Sequence, residues 1–223
     1  MAPEAEINGT APQKSRPSAL DRFEIGATVL LALATIATAW SGYQATRWGA
    51  ETTEATAATN AARFAATRAS DLANAQTQID VATFMQWVDA YALNQTMLAD
   101  FYYARFREEF EPAVQAWVAT KPLENPDAPL TPFAMPEYKL AAREEAERQD
   151  AISAETAAEV RRNVERQSNY VFGVVLFATA LFFAGTSTRV SARSLRLAIL
   201  GVGLVLFVGT IAWIATFDVS LSL

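Results

Sequence analysis

Residues 23–43 read FEIGATVLLALATIATAWSGY, and this stretch decides the fold. It supplies the ~20 predominantly apolar residues needed to cross a hydrocarbon core about 30 Å thick. Its only charge, Glu24, stands at one edge. Two later stretches repeat the pattern without any charge: YVFGVVLFATALFFAG at 170–185 and LAILGVGLVLFVGTIAWIATF at 197–217. One such block fits a buried helix of a soluble protein; three in one chain read as transmembrane helices, placed at 22–43, 169–187 and 197–217. Trp40, Tyr43, Trp48, Tyr170, Trp213 and Phe217 lie at the edges, where amphipathic rings suit the headgroup region.

Cytoplasmic flanks of spans retain Lys and Arg, which sets a direction. The tail 1–21 with Arg22 after it holds Lys14, Arg16 and Arg22, and the connection 188–196 holds Arg189, Arg193 and Arg196 with no acid. Both are expected in the cytoplasm, the tail as a disordered segment. Residues 43–168 carry 12 Lys and Arg against 19 Asp and Glu, so this acidic stretch and the tail 218–223 are expected outside. Ala37-Thr38-Ala39 after an apolar run also has the layout of a signal-cleavage site. The acids Glu4, Glu6, Asp21 and Glu24 and the aromatics beyond Ala39 favour a retained anchor instead.

Between the first two spans, residues 44–168 are expected to form a helical hairpin or bundle. From Ala50 to Glu111 there is no Gly or Pro, so propensity favours helix throughout 44–111. Ala55, Ala58, Ala62, Ala65, Ala69 and Leu72 recur at alternating steps of three and four, the spacing of a coiled-coil seam. Beyond Ile79 large residues take over: Val81, Phe84, Val88, Tyr91, Leu98, Phe101, Tyr102, Phe106 and Phe110, a stripe expected to form the core. The apolar stripe shifts in phase there, and Thr77-Gln78-Ile79-Asp80 has capping-box spacing, so a break is expected near 70–78. Pro112 can open a short helix through Trp117. Pro122, Pro126, Pro129, Pro132 and Pro136 then punctuate the connector 112–136, readable as a stiff linker or a recognition loop. Helix signals resume at Glu137 and run through 168 into the second span. On this helix Ala142, Ala146, Ser153, Ala157, Val160 and Val164 are placed to face the alanine seam.

The absence of Cys and His removes thiolate nucleophiles, imidazole bases and most transition-metal sites. A formal net charge of −6 with no basic cluster argues against nucleic acid as a partner. No phosphate loop or dinucleotide fingerprint occurs. Lys14, Lys121 and Lys139, the only lysines, stand beside no serine in a nucleophile motif. Glu144, Glu145, Glu147 and Asp150 lack the loop that arranges oxygens around a hard cation. No catalytic, cofactor-binding or metal residue is therefore assigned, no cofactor is expected, and the chain is expected not to be an enzyme. Thr28, Thr35 and Thr38 inside the first span can bond to their own helix, and Gly201 and Gly209 offer a notch on the third span for packing or self-association.

Trp40-Ser41-Gly42-Tyr43-Gln44-Ala45, Asn169-Tyr170-Val171-Phe172 and Phe182-Phe183-Ala184-Gly185 resemble uncharacterised bacterial membrane proteins, a domain of unknown function ordered as one span, a helical insert and a closing pair of spans. The resemblance implies a bacterial inner (plasma) membrane and brings no catalytic residues. Together these readings describe an all-α membrane protein with the lipid bilayer as one partner. Its expected role is a non-enzymatic scaffold, assembly or modulatory component of the cell envelope, acting with itself as a homo-oligomer or with other membrane proteins. The alternative is a channel or transport accessory subunit.

Overall fold

The computed structural model describes residues 19–220. Of the tail expected over 1–21, residues 1–18 lie outside this range, as do the last three residues of the segment 218–223; residues 19–21 already belong to the first helix. The described chain is all-α, with five helices and no strand: α1 Ala19–Ala92, α2 Thr96–Tyr103, α3 Glu111–Ala119, α4 Ala141–Ser187 and α5 Arg193–Ile214, plus a 3-10 turn at Pro132–Ala134. Contacts divide the chain into two compact units, 1–51 with 162–223, and 52–161.

The first unit holds the three helices that are long and apolar enough to cross a membrane, in α1, α4 and α5. Its burial is inverted relative to a soluble protein. Ala27, Ala34, Ser41, Gln44, Ala180, Ala184 and Ser187 are fully buried, whereas Ile25, Val29, Ile36, Phe172, Phe182, Val205 and Val208 face outward. Water would expel such a surface, but hydrocarbon costs it nothing, and small residues inside let backbones approach closely. Thr28, Thr35 and Thr38 donate to the carbonyls of Glu24, Leu31 and Ala34, four residues back, at 2.7–2.8 Å, so these three hydroxyls are met within their own helix in an apolar setting.

Polar contacts mark both ends of these spans. At one end Arg196 reaches Glu24 at 3.6 Å and lies 3.9 Å over the Phe23 ring. At the other, the buried Gln44 amide accepts from Ser220 N at 3.1 Å and donates to Ser220 O at 3.3 Å, pinning the segment after α5. Tyr170 donates to Asp218 O at 3.0 Å, and Arg166 joins Asp218 Oδ2 at 2.6 Å with its guanidinium over Trp48. From Glu24 to Gln44 is ~20 residues, about 30 Å along a helix, the thickness of a hydrocarbon core.

The notch expected at Gly201 and Gly209 is not used within this bundle, for an added Cβ at either meets nothing within 4 Å. Gly203 is the contact instead: a Cβ there would lie 3.2 Å from Ala180 O and 3.3 Å from Phe183 Cβ. Backbone cannot retreat as a side chain does. Gly203→Leu is therefore expected to cost about 1–3 kcal/mol through overpacking, and Gly201→Leu close to nothing. Thermal unfolding in detergent compares the two, and equal effects would contradict this packing.

In the second unit, burial on α1 falls at Ala55, Thr59, Ala62, Ala66, Ala69, Ala73, Asp80, Phe84, Trp87 and Ala90, steps of three and four in one phase once the half-buried Gln76 is included. Of the expected seam, Ala55, Ala62 and Ala69 are buried, but Ala58 and Leu72 are exposed and Ala65 is half-buried. The expected break at 70–78 is absent, because the seam does not change phase: its polar members Thr59, Gln76 and Asp80 hide its continuity from an apolar-only reading. Thr77 does not cap a helix start but donates back to Ala73 O at 2.9 Å. On α4, Ala142, Ala146 and Ser153 are buried as expected, Ala157 and Val160 half-buried and Val164 exposed, with Thr59 Oγ1 meeting Thr156 Oγ1 at 2.9 Å.

The helix expected through 111 ends at Ala92. Asn94 takes φ 56°, with Gln95 N bonded to Ala90 O at 2.9 Å and Asn94 N to Tyr91 O at 3.1 Å, the paired bonds of a Schellman stop. Asparagine tolerates this left-handed position better than most residues. α4 begins at Ala141 rather than Glu137, and Leu140 packs against Ala73. It therefore leaves α1 beyond Asp80 without a partner, and residues 96–138 cover that length. The Pro-rich connector is thus not a stiff linker: Pro132 is fully buried and Phe133 joins the aromatic core. The connection between the last two spans is likewise shorter than 188–196, since α5 starts at Arg193.

Candidate functional site

Three chain segments of the second unit meet at Asp80, whose side chain is fully buried. The Arg107 guanidinium lies alongside it, Nε donating to Oδ1 at 3.0 Å and Nη2 to Oδ2 at 3.2 Å. The remaining arm, Nη1, donates to Glu109 Oε2 at 2.8 Å. Tyr138 Oη lies 3.1 Å from Asp80 Oδ2 and 3.2 Å from Thr77 Oγ1. A carboxylate only accepts, so the phenol proton goes to Asp80, and Thr77 shares its own between Ala73 O and Tyr138 Oη. Glu109 Oε1 accepts from Ala141 N at 3.1 Å, meeting one of the orphan amides at the start of α4 with a favourable negative charge. This network ties α1, the turn before α3 and the entry to α4 together.

Arg107, held by Asp80 and then Glu109, stays protonated beyond its already high range. Glu109 is held below the ordinary carboxylate range, first by Arg107 and then by the Ala141 amide. Its contribution to stability is present above about pH 4.3, the usual glutamate value, and is lost as pH falls through its lower folded value. Burial, more than the adjacent Asp80 charge, pushes the Tyr138 phenol up. That contribution is present below about pH 10, the usual tyrosine value, and is lost as pH rises through the raised folded value. The melting temperature of the second unit is expected to be flat from about pH 5 to 9 and to drop on both sides. Glu109→Gln should flatten the acid limb; an unchanged limb would show that Glu109 does not shape it.

Above the network lies a dense aromatic core. Phe110, fully buried, stacks on Phe133 at 5.1 Å between centroids and meets Phe106 and Tyr138 edge-on at 5.1 and 5.7 Å. Phe84 meets Trp117 edge-on at 5.4 Å. Of the stripe expected as core, Phe84, Phe106 and Phe110 are buried, and Val88 and Tyr102 pack at the margin. Val81 is half-buried, whereas Tyr91, Leu98 and Phe101 are exposed. The stripe does not stay on one helix: the stop at Asn94 sends α2 off at a new angle and turns part of it outward.

Of these exposed residues Tyr91 borders a groove of about 720 Å³ in this unit. Trp87, Val88 and Ala99 line it from α1 and α2, Trp117 and Val118 from α3, and Pro122, Leu123 and Glu124 from the connector. A second depression of about 490 Å³ shares Asn94, Gln95 and Thr96 with it and is bounded by Met97, Leu98 and Phe101. Trp117 Nε1 donates to Pro129 O at 2.6 Å, which holds the connector over α3. Met97 and Leu123 stand 86% and 85% exposed. Exposed apolar side chains beside a concavity are of the kind that a partner or ligand covers.

The acids Glu144, Glu145, Glu147 and Asp150 do not converge. Glu145 takes Arg148 and the Gln149 amide, the latter at 2.8 Å, while the other three face outward along α4. No group of metal-ligating side chains occurs among the described residues. Lys121 pairs with Glu124 at 3.5 Å, and Lys139 adjoins no serine. The groove was not anticipated from the sequence, although Leu93-Asn94-Gln95-Thr96, an asparagine in a helix-stop position, carried the signal. No protein-family model, no curated protein and no solved structure matches the chain.

Proposed function

We propose that this protein is a non-enzymatic scaffold, assembly or modulatory component of a bacterial cell envelope, anchored in the inner membrane by three spans with its acidic unit outside. The reading rests on one observation: the acidic second unit ends in an exposed apolar groove, built on an aromatic core and a buried ionic network that hold its shape. A rigid, preorganised apolar groove serves recognition, because little ordering entropy is lost on binding.

The arginines at 189, 193 and 196 between the last two spans support the orientation. Cysteines placed at the exposed positions Ala154 and Ser191 test it with an impermeant thiol reagent in intact cells. Labelling at 154 alone is expected, and labelling at 191 alone would reverse the topology. The role itself is tested by affinity capture from native membranes with the intact chain and with a chain whose groove is disrupted by Met97→Glu and Leu123→Glu. A reproducible companion retained by the first and lost by the second is expected; no such companion would sink the scaffold reading.

A further inference from the structure

Resting on that reading, we infer that the groove at the end of the second unit takes a basic, apolar-anchored peptide segment of a partner protein. Size is the first argument. The two depressions, about 720 and 490 Å³, meet at Asn94, Gln95 and Thr96. Together they exceed the ~300–1,000 Å³ of a cleft built for one small molecule. They suit a chain segment that sets one anchor side chain in each.

Exposure is the second argument. Met97 and Leu123 are almost fully exposed and Leu98 is partly so, while Phe101 is about half exposed with one ring face covered by the Arg105 guanidinium at 3.4 Å. An apolar rim of this kind in water marks a surface that a partner covers.

Charge selects the occupant. Residues 52–161 hold nine Lys and Arg against seventeen Asp and Glu, a balance of −8. In the groove lining Lys121 is neutralised by Glu124 at 3.5 Å. Asp100 has no ion pair among the described residues and stands exposed beside the apolar floor. A second copy would bring another acidic surface to this one, and anionic lipid headgroups would do the same, so like charge opposes both. A Lys or Arg beside an aliphatic anchor meets Asp100 directly. Tyr91, stacked on Trp87 at 5.3 Å and half exposed, offers the same cation a ring face.

The test uses the full chain in nanodiscs of zwitterionic lipid, with empty nanodiscs as control, and three labelled peptides of equal length. One combines Lys with Leu, one Glu with Leu, and one Lys with Ser. The Lys–Leu peptide is expected to bind about tenfold tighter than either other, since a reversed charge or a lost anchor each costs about 1.4 kcal/mol, a factor of ten. Asp100→Lys and the pair Met97→Ser with Leu123→Ser should each remove that preference, whereas Phe64→Ala, at an exposed site elsewhere on α1, should not. All four positions are exposed, and unchanged helicity by circular dichroism verifies folding. Equal binding of the Glu–Leu peptide, insensitivity to these substitutions, pairing of nanodiscs through the protein, or adhesion to anionic vesicles would each overturn the inference. Such a result leaves the scaffold reading standing as long as native capture yields a groove-dependent companion, so the two failures are distinguishable.

Discussion

Replacing Arg107 by Met is expected to destabilise the second unit by about 3–5 kcal/mol, the cost of leaving one partner of a buried ion pair behind. Asp80 is fully buried, and Arg107 supplies two of the three hydrogen bonds to its carboxylate. With the guanidinium gone, the buried carboxylate is left without its charged partner, and that carries a penalty. Glu109 also loses a partner, but it is part exposed and keeps the Ala141 amide. Asp80→Leu combined with Arg107→Met should recover most of the loss, because removing both charges removes the desolvation problem as well. Thermal unfolding of the full chain in detergent, followed by helical signal, measures the stability. Hydrogen exchange should show the earliest loss of protection at 104–110 and at the start of α4. A single mutant as stable as the parent would mean that the pair carries no structural weight.

Phe110→Ala is expected to cost about 3–5 kcal/mol, the usual range for removing a buried phenylalanine ring. Phe110 is fully buried and touches four other rings, Phe84, Phe106, Phe133 and Tyr138. Those rings come from α1, the turn before α3, the 3-10 turn and the entry to α4, and a void at their meeting point cannot close by moving one of them. Phe101→Ala is the contrast: the residue sits in the same aromatic run but is about half exposed, so its loss is expected to stay within about 0.5 kcal/mol. Equal effects at 101 and 110 would show that the core does not centre where burial places it.

At Asp80 and Phe101 residue type and burial part ways. Asp80 has the type and spacing of a capping residue, and polarity argued against the core. It is buried because Arg107, 27 positions later, arrives with a matched guanidinium, a long-range event that no local spacing reports. Phe101 has the type of a core residue, yet the stop at Asn94 rotates its segment away from the seam. A run of aromatics predicts burial only while the helix carrying them continues. The Pro-rich connector follows the same rule. Proline implies interruption, but whether the interrupted chain stands free or lies down depends on an uncovered stretch of α1 that needs Phe133 and Trp117.

The helical class and the three apolar stretches long enough to cross a membrane were set by the sequence alone, because they follow from properties that act locally. Transfer of ~20 apolar residues into hydrocarbon is favourable whatever the neighbours do, and helix propensity is summed along the chain. Tertiary structure alone decided that Gly203 rather than Gly201 meets α4, that α1 runs on to Ala92, that Asp80 is interior, and that Asp100 and Leu123 border one groove with Met97 in the depression beside it. Each of these depends on which distant segment supplies the opposing surface. Burial, pairing and concavity are properties of two surfaces, and the sequence states only one of them at a time.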